Sequence, residues 1–310
     1  MTVTIIIPCY NSEKTLEGTF RSIDAQTMED WAVVAVNDRS TDTTPALLAG
    51  LAAGDPRITV LDGPGKGASA ARNAGLNGVT TDLIAFLDAD DLWEPQRLAT
   101  FMRLFERQPD VDIAYSRFAF FGEEPGDNLT VSSVPGAPLG VLDLLRENSV
   151  GTMSNLVMRR SALERAGLFR EDITHGEDRE WLVRAAAQGL TIAGIDETLL
   201  HYRTSIGGLS TDLEKMYDGW RKSLQTARDL DALPPARALR SAEAIYLRYL
   251  SRRALRLGMP PKTAAAYALR GAALSPRGFF SGGARGPLTL GSALASLIAP
   301  RMMRDALANR

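Results

Sequence analysis

The residues that point most directly to chemistry are three aspartates that follow a buried apolar strand, Asp88, Asp90 and Asp91. Two carboxylates two residues apart at a strand end can reach one divalent cation, because oxygen ligands suit Mg²⁺ or Mn²⁺. Such a cation would bridge the phosphates of a nucleotide diphosphate and stabilise charge on the leaving group. Alternatively, Asp90 or Asp91 caps a helix that begins at Trp93. Repulsion among three neighbouring aspartates favours the cation.

A second segment suited to nucleotide binding is the glycine-rich stretch at residues 63–75. Gly65 and Gly67 allow a ligand to approach the backbone closely, and Lys66 and Arg72 offer positive charge to a phosphate or a base. A dinucleotide fingerprint would follow the first strand, whereas this loop follows the third, and the P-loop pattern does not occur in the sequence. Both standard nucleotide fingerprints are therefore excluded. A solvated helical position is the alternative for Arg72.

An acidic pair, Glu177 and Asp178, opens a predicted helix directly after Gly176. A carboxylate at a helix start is commonly a cap. It can also serve as a general base that removes a proton from an attacking hydroxyl, and Gly176 would let the turn bring Asp178 near a substrate. The sequence leaves both roles open.

A basic tripeptide, His201-Tyr202-Arg203, leads into the segment 204–208, which contains two glycines. Such a segment can close over a diphosphate as a lid, or it can simply end a strand with a solvated arginine. His175 and His201 are the only histidines and lie 26 positions apart, which disfavours a histidine metal site.

Strands and helices alternate along the first ninety residues, which predicts a mostly parallel sheet covered on both faces. Ligands of such sheets bind beyond the carboxyl ends of the strands, where the polar residues named above occur. The predicted strands are 3–7, 31–36, 58–61, 83–87, 111–120 and 155–159. The predicted helices are 11–26, capped by Asn11 or Ser12, then 45–50, 67–76, 93–108, 141–147, 162–166 and 177–188. Residues 122–140 are predicted to form a surface loop.

The composition of the 310 residues, 45% hydrophobic and 23% charged, predicts a globular chain. Its net charge of −2 conceals two unlike parts. Residues 1–214 contain 18 basic and 32 acidic residues, whereas residues 215–310 contain 17 basic and 5 acidic ones. A domain boundary is therefore predicted near Leu213. It separates a catalytic domain, 1–213, with a nucleotide-binding half (1–91) and an acceptor half (92–213), from a basic helical region, 214–310.

The sequence also gives expectations about compartment. Cys9 is the only cysteine, which excludes an intramolecular disulfide and a cysteine-based zinc site. The first residues lack the features of a signal peptide, and no apolar run reaches the length of a membrane span. We expect a cytoplasmic protein, peripheral on the inner face of the cytoplasmic membrane if a membrane is involved.

Taken in order, these segments resemble the family 2 glycosyltransferases of the bacterial polysaccharide type, over about residues 1–210. The segments that carry the resemblance are 7–11, 37–40, 67–75, 86–91, 177–178 and 201–203. The resemblance implies an inverting, metal-dependent enzyme with the GT-A fold, a three-layer α/β/α Rossmann-like architecture, here followed by a C-terminal helical appendage. The Q-x-x-R-W sequence and the membrane spans of the processive synthases are absent from the sequence, which favours transfer of a single sugar.

The resemblance also implies roles for individual residues. Pro8, Tyr10 and Asp38 would surround the nucleobase and ribose, and Lys66, Arg72 and Asn73 would line the nucleotide pocket. Asp88, Ala89 and Asp90 match the D-x-D motif, with Asp90 as a direct ligand of Mn²⁺ or Mg²⁺ and Asp88 contacting ribose or metal. Asp178 matches the general base, and Arg203 a diphosphate contact. Glu177, Trp181 and His201 would lie on the acceptor side.

The implied substrates are a nucleotide sugar, with UDP as the expected nucleotide, and a glycan or lipid-linked saccharide acceptor in cell-surface polysaccharide biosynthesis. A catalytically silent scaffold is one alternative, although Asp90, Asp178 and Arg203 argue against it. A sugar-phosphate nucleotidyltransferase is another, but its glycine- and arginine-rich signature would replace residues 8–11. The basic region, with Arg248, Arg252, Arg253 and Arg256 among leucines, could dock on an anionic membrane, pack on the acidic domain or form an oligomer interface. No nucleic-acid reading motif is present in the sequence.

Overall fold

The structure is a computed structural model that describes residues 2–127, 130–204 and 211–298. Its strands are β1 (Val3–Cys9), β2 (Trp31–Asn37), β3 (Ile58–Asp62), β4 (Leu83–Phe86), β5 (Leu92–Trp93), β6 (Ile113–Phe121), β7 (Val157–Arg159) and β8 (Ile192–Arg203). They form one sheet in the order β3-β2-β1-β4-β7-β6-β8-β5. The first four strands run parallel, as predicted, whereas β7 is antiparallel to both of its neighbours, β4 and β6.

Helices cover both faces of this sheet. They are α1 (Leu16–Asp24), α2 (Thr44–Gly54), α3 (Ala68–Leu76), α4 (Arg97–Arg107), α5 (Val141–Leu144), α6 (Arg160–Ala166) and α7 (Glu177–Ala187), followed by α8 (Leu213–Asp229), α9 (Ala236–Arg256), α10 (Pro261–Leu274), α11 (Pro276–Phe279) and α12 (Arg285–Ile298). A short 3₁₀ turn, Met153–Asn155, precedes β7.

The alternating side chains of β1 show how the layers form, since successive residues of a strand point to opposite faces. Ile5 and Ile7 belong to the buried cluster that includes residues of α1, α2 and α4, whereas Ile6 belongs to the cluster that includes residues of α3, α6 and α7. On the second face α3 lies very close to the sheet, because a Cβ added at Gly75 would lie 2.8 Å from Ile6 Cγ2. The predicted three-layer α/β/α architecture is confirmed.

Two predicted helix starts are wrong. The first helix begins at Leu16 instead of Asn11 or Ser12, and Asn11 adopts a positive φ of 49° while its Oδ1 accepts a hydrogen bond from the Thr41 backbone at 2.8 Å. The helix predicted from Trp93 begins at Arg97, because Pro95 favours an extended conformation at the residue before it. Asp90 and Asp91 therefore do not cap a helix.

The C-terminal helices pack on the second face of the sheet. The rings of Tyr217, Trp220, Tyr246 and Tyr249 stack in series, with centroid separations of 5.9, 5.9 and 5.7 Å. The Arg179 guanidinium on α7 lies 4.4 Å from the Tyr246 ring, and Trp181 and Trp220 belong to one buried cluster. Helix α8 begins at Leu213, where the domain boundary was predicted, and it shares its apolar core with the sheet. The division into domains stays a prediction.

Candidate active site

Residues 88–91 form an acidic turn after β4, and side chains from other segments hold this turn in place. Asp88 accepts hydrogen bonds from Arg72 Nη2 at 2.6 Å and from Thr152 Oγ1 at 3.0 Å, one on each carboxylate oxygen. Its backbone N–H donates to Ser154 Oγ at 2.9 Å. The buried Ala89 has its carbonyl occupied by Thr15 Oγ1 at 2.8 Å, so this residue has a structural part in the turn. A contact of Ala89 with a donor stays a prediction.

Asp90 and Asp91 differ in their surroundings. Asp91 is fully buried and its Oδ1 accepts the Arg203 backbone N–H at 2.9 Å. Burial, and then the charges of Asp90 and Asp88, raise its pKa well above the usual value. Burial and then Asp88 raise the pKa of Asp90 to about 6, while Arg203 opposes the rise. A hydrogen bond from the backbone N–H of Asp90 to its own carboxylate opposes the rise as well.

This arrangement bears on the predicted cation. Among the described residues, no group of three or more His, Cys, Asp or Glu side chains is placed to hold a metal ion. Both Asp88 oxygens already have protein partners, whereas Asp90 is a half-buried carboxylate beside like charges. A divalent cation at Asp90 would offset that repulsion. The residues fit a site with one direct protein carboxylate, its other ligands coming from phosphate and water, as Mg²⁺ and Mn²⁺ accept.

A buried arginine that the sequence analysis missed lies under the turn. Arg97 is fully buried, stacks on the Trp93 and Phe101 rings at 4.9 and 4.5 Å, and donates to the Ser154 carbonyl at 3.2 Å. Burial lowers its pKa to about 9, and the charge of Asp91 opposes that change. The positive charge of Arg97 thus offsets the negative charge of the buried acidic turn. Its position in an ordinary amphipathic helix does not reveal this role.

The predicted nucleobase side lies at the ends of β1 and β2. These strands pair Cys9 with Asn37, so Tyr10 and Asp38 follow at neighbouring positions on one rim. The two oxygens of Asp38 accept the backbone N–H groups of Gly65 at 2.7 Å and Gly67 at 2.8 Å, which fixes the glycine loop. Tyr10 is 62% exposed, an unusual position for a large aromatic ring and one from which it can stack on a base. Pro8 is half-buried and Lys66 is exposed at the same rim.

The acidic pair lies at the first turn of α7, after Gly176 with its φ of 78°. Glu177 Oε1 accepts a hydrogen bond from Arg72 Nη1 at 3.1 Å. Burial raises the pKa of Glu177, with Arg72 opposing the rise and Asp178 adding to it. Asp178 Oδ2 accepts a hydrogen bond from Asn148 Nδ2 at 3.1 Å. The buried Arg72 therefore joins two segments that are far apart in sequence, the Asp88 turn and the Glu177–Asp178 pair.

Arg203 closes the other edge of the acidic turn. Its Nε donates to the Asp90 carbonyl at 2.9 Å, its Nη1 donates to the Gly122 carbonyl at 2.9 Å, and its guanidinium lies 4.3 Å from the Phe121 ring. This places a cation beside the predicted metal ligand. The lid predicted at residues 204–208 falls almost entirely on residues 205–210, which lie outside the described residues.

Three predicted positions have other roles in the structure. The Asn73 amide donates to the Phe169 carbonyl and accepts from the Phe169 N–H, each at 2.9 Å, and its place in the nucleotide pocket stays a prediction. Trp181 does not face an acceptor, because it is fully buried and donates to the Gly167 carbonyl at 2.8 Å. His201 Nε2 lies 2.6 Å from Glu94 Oε1 at the junction of β8 and β5, where it pairs two strands.

Two residues of the site lie in a loop that carries no sequence signal. Asn148 and Thr152, which contact Asp178 and Asp88, both lie between α5 and the 3₁₀ turn. Only the fold shows their importance. A separate cavity of about 590 Å³ lies between α8 and α10 and has none of the predicted site residues among its lining residues, which are Glu214, Tyr217, Asp218, Arg221, Lys262, Thr263, Ala266, Tyr267 and Arg270.

The chain is similar in sequence to known glycosyltransferases. Glycosyl transferase family 2 matches residues 4–167, more than half of the chain. The succinoglycan biosynthesis protein ExoO of Rhizobium meliloti is 32% identical over 208 residues, which cover 60% of this chain and 56% of that protein. The chain spans 64%, 18% and 31% of the length of three other curated relatives.

Solved structures agree with the fold. The Staphylococcus aureus TarS fragment 1–349 in complex with UDP-GlcNAc matches with a TM-score of 0.68 and 17% identity, covering 97% of this chain and 92% of that one. The mannosyltransferase PcManGT of Pyrobaculum calidifontis, in complex with GDP-Man and Mn²⁺, matches with a TM-score of 0.62 and 22% identity, covering 99% and 84%. The fold is thus that of the GT-A glycosyltransferases. No helix in the described ranges is long and apolar enough to cross a membrane. With its family match, its fold and its ordered motifs in agreement, the chain belongs to glycosyl transferase family 2.

Proposed function

We propose that the chain is an inverting glycosyltransferase that moves a single sugar from a nucleotide diphosphate sugar, with UDP as the nucleotide, to a hydroxyl of a glycan or lipid-linked saccharide in cell-surface polysaccharide biosynthesis. The observation that carries the proposal is the Arg72 bridge, with its distances of 2.6 Å to Asp88 and 3.1 Å to Glu177. It joins the turn suited to a diphosphate to Glu177, the residue directly before the proposed base Asp178.

The base in this reaction is Asp178. Asn148 occupies its Oδ2, which leaves Oδ1 to accept the proton of the acceptor hydroxyl. The acceptor oxygen, having given its proton to Asp178, bonds to the anomeric carbon on one face of the sugar. The bond from that carbon to the nucleoside diphosphate breaks on the opposite face, so this single displacement inverts the anomeric configuration. Arg203 and the first turn of α3 supply positive potential for the departing diphosphate. Tyr10 and the Asp38-fixed glycine loop hold the nucleobase and ribose.

A divalent cation would be held by Asp90, and when bound it would stabilise charge on the diphosphate. The Mn²⁺ named with the mannosyltransferase structure supports this part of the proposal, as does the UDP-GlcNAc named with TarS for the donor class. The succinoglycan named with ExoO supports a polysaccharide product.

The test is a thermal-shift panel of UDP- and GDP-sugars, each with and without Mn²⁺, followed by measurement of nucleotide release from the donor that binds. A ligand that binds only the native state raises the melting temperature. We expect one donor class to stabilise the chain with Mn²⁺, and Asp90→Asn to remove that stabilisation. With the α-linked form of that donor, NMR of the released sugar should show the β anomer first. A chain that no donor stabilises, or an α anomer that appears first, contradicts the proposal.

We also propose an anionic membrane surface as a partner of α12. Leu288 and Ile298 on this helix are 65% and 87% exposed, and Arg285 at its start is exposed too. Between Ala244 and Ile298 the sequence carries eight basic residues and no acidic one. An exposed apolar helix face with basic neighbours fits the interface of anionic lipids.

Vesicle co-sedimentation tests this surface with anionic phosphatidylglycerol and neutral phosphatidylcholine vesicles. We expect binding to the anionic vesicles only, weakened by salt and by the double change Leu288→Ser and Ile298→Ser. The matched control changes Leu230 and Leu233 to serine, since these leucines are 38% and 37% exposed outside α12. Equal binding by both double variants, or no binding at low salt, contradicts the proposal.

A further inference from the structure

We infer that the C-terminal helices position the proposed base, through ion pairs to Glu147, the residue before Asn148. This inference rests on the assignment of Asp178 as the base. It makes Glu147 and its arginine partners positioning residues that touch no substrate. It also gives the basic C-terminal region a part in catalysis besides any membrane contact.

The first step is the orientation of Asn148. Its Oδ1 accepts the backbone N–H groups of Val150 at 3.1 Å and Gly151 at 3.3 Å. These two bonds fix which end of the amide is the oxygen, so Nδ2 must point the other way, where it donates to Asp178 Oδ2 at 3.1 Å. A shift of the Asn148 backbone would therefore rotate or release the Asp178 carboxylate.

The second step is the anchoring of Glu147. Its carboxylate lies 3.0 Å from Arg248 Nη2, 3.8 Å from Arg252 Nη1 and 3.2 Å from Arg285 Nη1. The Arg248 side chain is 4% exposed and also donates to the Phe279 carbonyl at 2.8 Å, so its position is fixed within the C-terminal helices. Because the sequence 244–298 has no acidic residue, the charge that balances Arg248 has to come from elsewhere in the chain.

The third step is a second pair of anchors on α8. Trp220 Nε1 donates to the Leu145 carbonyl at 2.8 Å, two residues before Glu147. Gly219 of α8 packs against His175, which lies on the segment that carries the base. A Cβ added at Gly219 would lie 1.9 Å from the His175 carbonyl oxygen. Both segments that meet at the Asn148–Asp178 hydrogen bond thus rest on the C-terminal helices.

The test measures nucleotide release from the donor identified above, in full-length Glu147→Gln, Asn148→Ala and the double variant. Geometry that differs by about 1 Å at a reacting group costs up to 10²-fold in rate. We expect Glu147→Gln to lower kcat on the order of 5–50-fold with the donor KM unchanged, because the donor side of the site is intact. We expect no further loss when Glu147→Gln is added to Asn148→Ala, since both act through the same carboxylate.

Glu243→Gln is the matched control, since Glu243 also forms an ion pair with an arginine of the C-terminal helices, Arg270 at 3.0 Å, without touching the 145–148 segment. It should keep the wild-type kcat. Glu147→Gln leaves the buried Arg248 without its carboxylate partner, so a melting curve must show that the variant is folded at the assay temperature. Arg285→Gln is a second, milder variant, because the Arg285 side chain is 59% exposed. A wild-type kcat in Glu147→Gln, or losses that add to those of Asn148→Ala, overturns the inference. A wild-type chain that neither binds nor cleaves any donor instead refutes the proposed function.

Discussion

Replacing Arg72 by methionine should strongly destabilise the chain and disconnect the two halves of the site. The Arg72 side chain is 4% exposed and lies between Asp88, 26% exposed, and Glu177, 14% exposed. Methionine fills much of the same volume and removes the charge, so two partly buried carboxylates lose their partner. Removing one member of a buried ion pair typically costs about 3–5 kcal/mol. Because Asp88 keeps its hydrogen bond from Thr152 and some solvent, we expect the lower end, about 3 kcal/mol.

Urea unfolding near neutral pH measures this loss directly. In a thermal scan, about 3 kcal/mol corresponds to a fall in melting temperature of roughly 6–12 °C, at 2–4 °C per kcal/mol for larger domains. The double variant Arg72→Met with Glu177→Gln should recover part of the stability, because one of the two unpaired charges is then neutral. The difference in the free energy of unfolding between this double variant and Arg72→Met measures the repulsion that Arg72 normally offsets.

The control is Arg21→Met, which removes an exposed pair with Glu17 whose side chains are 77% and 67% exposed. Such surface pairs contribute about 0–1 kcal/mol. If Arg72→Met and Arg21→Met change the free energy of unfolding equally, then Arg72 does not balance two buried carboxylates and the reasoning fails.

Three further predictions concern the rest of the chain. Burial, and then the charge of Asp88, raise the pKa of the Cys9 thiol to about 12. Cys9 should therefore resist alkylation at mildly alkaline pH until urea unfolds the chain. Rapid labelling of the native protein contradicts this. Gly219→Ala should destabilise the chain by about 1–3 kcal/mol through the clash with His175, whereas Gly50→Ala, with open space around it, should stabilise it by up to about 1 kcal/mol in a melting curve. A chain truncated after Asp212 should lose cooperative unfolding in calorimetry, because Trp181 and its neighbours would lose the packing of α8 and α9; a cooperative transition in that fragment shows that the two regions fold separately.

The parallel half of the fold was predictable because each strand is a short β-branched run and each turn has its own polar residues. The errors have local causes. Pro95 moved the start of α4, and a two-residue strand such as β5 has no periodicity that a sequence pattern can show. Asn148, Thr152 and Arg97 escaped prediction because their roles arise from hydrogen bonds to residues 30, 64 and 57 positions away, respectively.

The division of charge between the acidic residues 1–214 and the basic residues 215–310 bears on how the two regions contact each other. Packing of the basic region on the acidic domain was one of three alternatives that it left open, and the cluster of Arg248, Arg252 and Arg285 around Glu147 is a contact of that kind. The composition could not show that this contact lies beside the residue that orients Asp178. Trp181 illustrates the opposite limit, because its place near a functional motif suggested a substrate contact while its apolar ring belongs to the core.

The most direct test of the account is the turnover of Asp178→Asn. Asparagine keeps the size of the side chain and its contact with Asn148 but cannot take a proton, so donor binding with Mn²⁺ should be unchanged. Nucleotide release should fall on the order of 10²–10⁴-fold, the usual contribution of a general base. An Asp178→Asn variant that binds donor and turns over at nearly the wild-type rate would contradict the central claim.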